Sequence, residues 1–164
     1  MKTLKNFFVL LLIVGAGLNI ASAQSTKSAK KAAKEMAVKG KINGQRYTFL
    51  ANYMLPQRGS GKSLTDNYDL RVTKDSVIAF LPYYGRAYYD VPYGGADGGI
   101  KFTSTKFSYE VKDKKKGGWE ITIKPNDVKN TNRLLLNIST DGYASLSVTS
   151  SNRDFITFDG YIKE

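Results

Sequence analysis

The segment LPYYGRAYYDVPYGGADGG, from Leu81 to Gly99, gathers side chains suited to recognising a ligand. Five of the eleven tyrosines lie in it, at Tyr83, Tyr84, Tyr88, Tyr89 and Tyr93, together with Gly85 and the glycines of Gly94 to Gly99. Pro82, Pro92 and the glycines disfavour regular structure, so large amphipathic rings must be carried on an irregular backbone. Exposed, they would form a platform for stacking on a sugar or a base, with Arg86 as hydrogen-bond donor and Asp90 or Asp97 as acceptor. Turned inward, they would plug an open barrel end or a sheet edge and leave their hydroxyls at the rim. A loop of this length in a compact domain is where binding residues concentrate.

Composition removes several chemistries. The chain has no Cys and no His, which excludes thiol nucleophiles, thiolate metal sites and Ser-His-Asp triads, and with them the usual base near neutral pH. Gly61-Lys62-Ser63 ends like a phosphate-binding P-loop, but the first glycine of that motif falls at Pro56 and no helical pattern follows, so a turn or flexible loop is expected. Gly94 to Gly99 resembles one unit of the Gly-Asp repeats that bind calcium in stacked turns, and one unit with only Asp90 and Asp97 nearby supplies too few oxygens. Glycoside hydrolysis needs two carboxylates across a cleft, and no motif pairs any of Asp66, Asp69, Asp90, Asp97, Glu110 and Glu120. No catalytic residue, metal or cofactor is assigned. The leading expectation is a non-enzymatic module that binds a small molecule, glycan or protein partner through Tyr83, Tyr84, Arg86, Tyr88, Tyr89, Asp90 and Tyr93. A carboxylate-based hydrolase and an envelope structural or stress protein are the alternatives.

The elements that would position this segment read as strands. From Gly44 onward the apolar period is two: Tyr47, Phe49, Ala51 and Tyr53; Tyr68, Leu70 and Val72; then Val77, Ala79 and Leu81. Phe107, Tyr109 and Val111 precede a loop from Asp113 to Gly118, and Trp119, Ile121 and Ile123 return. Leu134, Leu136 and Ile138 run into Asp141-Gly142, a pair suited to a tight turn with positive φ, and Ala144, Leu146 and Val148 follow. Ile156, Phe158 and Ile162 close the chain, with Gly160 expected at a bulge or close contact. Short turns enforce antiparallel pairing. The fold class is all-β, an antiparallel meander of eight or nine strands over residues 42–164 that forms a small barrel or a sandwich.

Ahead of it, Lys2 and Lys5, an apolar run from Phe7 to Val14 that weakens toward Ile20, and Ala21-Ser22-Ala23 predict an export signal over residues 1–23. The strongly apolar stretch is shorter than the roughly 20 residues of a membrane-spanning helix, so no transmembrane segment is expected in the mature chain. Without Cys it is not a lipoprotein, and a periplasmic or extracellular location follows. Of the formal charge of +11, Lys2 and Lys5 account for two; residues 27–41 hold six Lys against Glu35, and the rest from Ile42 has 17 basic and 13 acidic residues. The excess therefore sits in a basic stretch, residues 24–41, that would touch an anionic envelope surface weakly or serve as a solvated linker. It reads as a short helix or a disordered tail: Lys31, Glu35 and Lys39 have helical spacing, Ala29, Ala32, Ala33, Met36 and Ala37 form the apolar side, and Gly40 stands as a stop. Nucleic acid is not an expected partner, because the charge lies in the tail while the tyrosine segment carries Asp90 and Asp97.

LPYYGRAYY, the preceding hairpin YDLRVTKDSVIAF, the following Gly-rich stretch and KFTS strand start, the early FLANYMLP, the hairpin KKGGWEITI and the ending DGYASLSVTSSNRDFITFDGYI together resemble the exported bacterial family catalogued as domain of unknown function 4251. The resemblance covers about Ile42 to Ile162. It implies a small exported protein without an assigned activity, and marks Leu81, Pro82, Tyr83, Gly85, Arg86 and Tyr88 as signature positions rather than known ligands.

Overall fold

A computed structural model of the chain describes residues 27–89 and 98–163; residues 1–23, expected to be an export signal, and Asp90, Tyr93 and Asp97 lie outside the described residues. A helix over residues 27–43, α1, precedes nine strands: β1 Tyr47–Pro56, β2 Lys62–Val72, β3 Val77–Leu81, β4 Ile100–Ser104, β5 Phe107–Asp113, β6 Trp119–Pro125, β7 Thr131–Ile138, β8 Tyr143–Ser150 and β9 Ile156–Ile162. All pairs are antiparallel, in the order β4-β3-β2-β1-β9-β8-β7-β6-β5. That order puts β4 and β5 at opposite edges, yet only Thr105 and Lys106 separate them in the chain. The sheet must therefore curl until its edges meet, and the expected barrel or sandwich is a nearly closed barrel.

The corner where the edges meet is clamped by Asp127 from the β6–β7 connection. Its carboxylate accepts from the backbone amides of Thr105 (2.8 Å) and Lys106 (3.1 Å) and from the Ser104 hydroxyl. The Ser104 bond, followed by the amides, lowers the carboxyl pKa to about 2. Asp127 thus stays ionised at the junction that closes the sheet.

Inward residues alternate as a half-buried sheet requires, and Phe49, Leu70, Leu136, Leu146 and Phe158 are fully buried. The alternation slips in β7 between Thr131 and Arg133 and, with more consequence, in β1. A bulge in β1 between Ala51 and Tyr53 turns Met54 inward in place of the expected Tyr53. It lies opposite Gly160, the anticipated close contact. Gly142 has φ 86°, as the Asp-Gly turn demands. The turn near Gly61 is shorter than expected, since Lys62 and Ser63 already pair with Met54 and Tyr53.

One polar pair crosses the interior. The hydroxyls of Tyr47 on β1 and Tyr109 on β5 are 3.2 Å apart. Burial, then the neighbouring Tyr109, raises the Tyr47 pKa well above 10.0, and burial raises that of Tyr109. The folded protein therefore holds these protons more tightly than the unfolded chain does. Their contribution is intact below the unfolded value near 10 and is lost as the pH rises toward the folded values. The urea midpoint is expected to fall between about pH 8 and pH 11, and to fall less in Tyr47→Phe; equal drops in the two proteins would contradict this.

The basic stretch forms the helix. It continues past Gly40, the anticipated stop, to residue 43. Val38 and Ile42, at i,i+4, are buried in the barrel core, while Met36 is 67% exposed. The buried face is thus Val38 and Ile42 rather than the alanine side, and burying an Ile outweighs the roughly 1 kcal/mol that glycine loses to alanine in a helix. Gly40 has open space where a Cβ would stand. Gly40→Ala should raise stability by about 0.5–1 kcal/mol, read as a higher denaturation midpoint.

Candidate binding site

The β3–β4 connection carries the tyrosine segment, and the β8–β9 connection receives it. Ala87 makes a bridge to Arg153, Tyr88 N donates to Asn152 O (2.8 Å), and Asp154 N donates to Arg86 O (3.0 Å). Three tyrosine hydroxyls complete the attachment. Tyr83 Oη lies 2.8 Å from Arg86 O and 3.2 Å from Asp154 O, Tyr89 Oη donates to Ser151 O (3.0 Å), and Tyr88 Oη donates to the Asp154 carboxylate. Gly85 leaves room for this, because a Cβ there would sit 2.8 Å from Tyr83 Oη. Beneath them Asn152, fully buried, donates from Nδ2 to Tyr89 O (3.1 Å) and accepts from Arg153 Nε (3.2 Å).

An irregular backbone is thereby held without a ladder of its own, and the rings fall into two groups. Tyr83 is half-buried under the Arg153 guanidinium, which lies 4.7 Å from its centroid and donates to Gly98 O (2.7 Å). Tyr84, Tyr88 and Tyr89 are 50%, 57% and 52% exposed. Lys62 Nζ stands 3.5 Å over the Tyr84 ring and the Arg86 guanidinium 5.9 Å from that of Tyr88. Burial, then the Asp154 carboxylate, raises the Tyr83 pKa; the hydrogen bond to Asp154 raises that of Tyr88, opposed by Arg58 and Arg86. Tyr88 is thus a neutral phenol at physiological pH, and the outward rings are set among four cations, Lys62, Arg86, Arg153 and Arg58.

Of the residues expected at the site, the structure brings Tyr83, Tyr84, Arg86, Tyr88 and Tyr89 together, whereas Asp90 and Tyr93 are outside the described residues. Their roles overlap: Tyr83, Tyr88 and Tyr89 anchor through their hydroxyls, and Tyr84, Tyr88 and Tyr89 present ring surface. The sequence reading missed Lys62, Asn152, Arg153 and Asp154 as site residues: Lys62 figures there only in the turn Gly61-Lys62-Ser63, and the other three only within the string DGYASLSVTSSNRDFITFDGYI. The inward residues form one apolar cluster, and the hollows described open to solvent. Among the described residues no three acidic side chains converge as a metal site would need, and no helix is long and apolar enough to cross a membrane.

The fold and site define a class: a small antiparallel barrel, plugged by a helix, that holds a tyrosine-rich segment against one of its turns. The chain belongs to the DUF4251 family, a domain of unknown function, whose family model matches residues 29–162 and so takes in most of the helix as well as the barrel. It is similar in structure to a DUF4251 family protein from Bacteroides eggerthii DSM 20697, solved by crystallography, at 15% identity, covering 82% of this chain and 89% of that one with a TM-score of 0.62. At that identity the likeness bears on the fold alone. No curated protein matches the chain.

Proposed function

We propose that this is an exported, non-enzymatic module of the periplasm or cell exterior that binds through the outward tyrosines of the β3–β4 connection. The ligand is a small molecule, glycan or protein partner presenting an apolar or ring face beside an anionic group. The observation that carries this reading is the combination of exposure and fixation: Tyr84, Tyr88 and Tyr89 each leave about half their surface to solvent, on a segment whose backbone and hydroxyls are tied to residues 151–154. Rings fixed before binding lose little conformational entropy when a ligand stacks on them, and Lys62, Arg86, Arg153 and Arg58 supply positive charge around them. A hydrolase would need two facing carboxylates, and among the described residues the tyrosine segment and its frame at residues 151–154 carry one, Asp154, which accepts from Tyr88. Export rests on the leader-like residues 1–23.

The test is a thermal-shift screen across acidic and neutral glycans, lipids and small carboxylates, repeated on the triple variant Tyr84→Ala, Tyr88→Ala, Tyr89→Ala. A ligand that raises the melting temperature of the wild type and not of the variant supports the reading. Equal shifts in both, or a silent screen, would remove it.

A further inference from the structure

We propose a second site, a saccharide-binding trough on the outer face of the barrel where β7, β8, β9 and β1 run toward the helix. Two hollows meet there. One, of about 690 Å³, lies between Lys34 and Lys41 of the helix and Tyr143 and Tyr161; the other, of about 420 Å³, continues over Ser145 and Asp159 to Lys114. Asn52 and Tyr143 line both, so they form one trough. Register sets its floor. Tyr143 pairs with Tyr161, giving adjacent rings 64% and 42% exposed. Two residues along the same face, Asn137 pairs with Ser145 and Ser145 with Asp159, and Asn52, left unpaired by the β1 bulge, ends the row. Strands lie about 4.8 Å apart, so amide, hydroxyl and carboxylate follow one another at even spacing beside an aromatic strip.

Two features separate this from an ordinary solvated sheet face. The outside of a barrel is convex, but here the helix and the β5–β6 turn rise on either side, the latter tied down by Lys114 Nζ donating to Asn137 Oδ1 at 3.2 Å. In addition, among the described residues the side chains of Asn52, Ser145 and Asp159 make no hydrogen bond within the protein, although Ser145 and Asp159 are half-buried. A polyhydroxylated ring matches both strips at once: its C–H face covers Tyr143 and Tyr161, and its hydroxyls donate to Asp159 and exchange bonds with Asn52 and Ser145. An apolar peptide would desolvate those groups without matching them. A nucleic acid would bring phosphates against Asp141 and Asp159.

The test uses the full chain on a printed array holding chito-, malto- and galacturonan oligosaccharides, followed by calorimetric titration of the strongest soluble binder. Tyr143→Ala and, independently, Asp159→Asn should each weaken binding by about tenfold or more without moving the thermal midpoint. Tyr84→Ala, on the separate tyrosine segment, should leave it unchanged. An array with no binder overturns the proposal, as does a binder insensitive to both trough variants. Loss of binding with Tyr84→Ala alone also overturns it, and assigns the sugar to the tyrosine segment instead.

Discussion

Gly160→Ala is expected to lower the stability of the fold by about 3 kcal/mol or more. Gly160 lies in β9 between Ala51 of β1 and Ala144 of β8. A Cβ there would stand 1.8 Å from Leu50 O, 2.9 Å from Leu50 C and 3.1 Å from Ala51 Cα. Every one of those atoms is backbone, so no rotamer change relieves the overlap. Either β1 draws away from β9 or the bulge between Ala51 and Tyr53 relocates, and both break ladder bonds in the middle of the sheet, where β1 and β9 join the four-strand and five-strand portions. Gly40→Ala is the matched control, the same chemical change in open space on a helix, and its effect has the opposite sign. Urea midpoints of the two variants should move in opposite directions. A Gly160→Ala midpoint within about 0.5 kcal/mol of wild type would show that β1 gives way easily, contrary to the close approach.

The two positions also show why parts of this fold are legible in sequence and others are not. Period-two burial in β6 to β9 is a local property, and so is the Asp141-Gly142 turn; each is decided by residues within a few positions of one another. The chain length and loop lengths make antiparallel pairing unavoidable, but closure into a barrel becomes clear only when β4 and β5 are found at opposite edges with two residues between them. β4 itself gives little signal beyond its KFTS start, because Lys101 and Thr103 face out and Phe102 is only half-buried. The helix runs on past Gly40 because Ile42 is buried beside Tyr109, whose hydroxyl lies 3.4 Å from the Ile42 carbonyl across 67 residues of sequence. The tyrosine segment divides in the same way. Its composition marks it, yet its frame, residues 151–154, is more than sixty residues distant, and no local pattern says which rings anchor and which present surface.

Asn152→Ala is expected to lower stability by about 2 kcal/mol and, unlike substitution of an exposed ring, to loosen the whole segment. Asn152 is fully buried. Truncation leaves the Tyr89 carbonyl without its Nδ2 donor and removes one of the acceptors that orient Arg153, whose guanidinium covers Tyr83 and holds Gly98. A buried group left unmatched is penalised by its desolvation, more than the net worth of the bond it lost. Local opening should follow, and trypsin reports it directly, since Arg86 lies at the centre of the segment and Arg153 in its frame. Cleavage at Arg86 should be faster in Asn152→Ala than in wild type, while Tyr84→Ala, which removes only a half-exposed ring, should be cut at the wild-type rate. The two variants then separate a platform from a plug. If the rings bind a ligand, Tyr84→Ala weakens binding with stability intact, and Asn152→Ala weakens it without altering any contacting side chain, through loss of fixation. If the rings only seal the barrel, Tyr84→Ala changes no binding at all and Asn152→Ala changes stability and proteolysis alone.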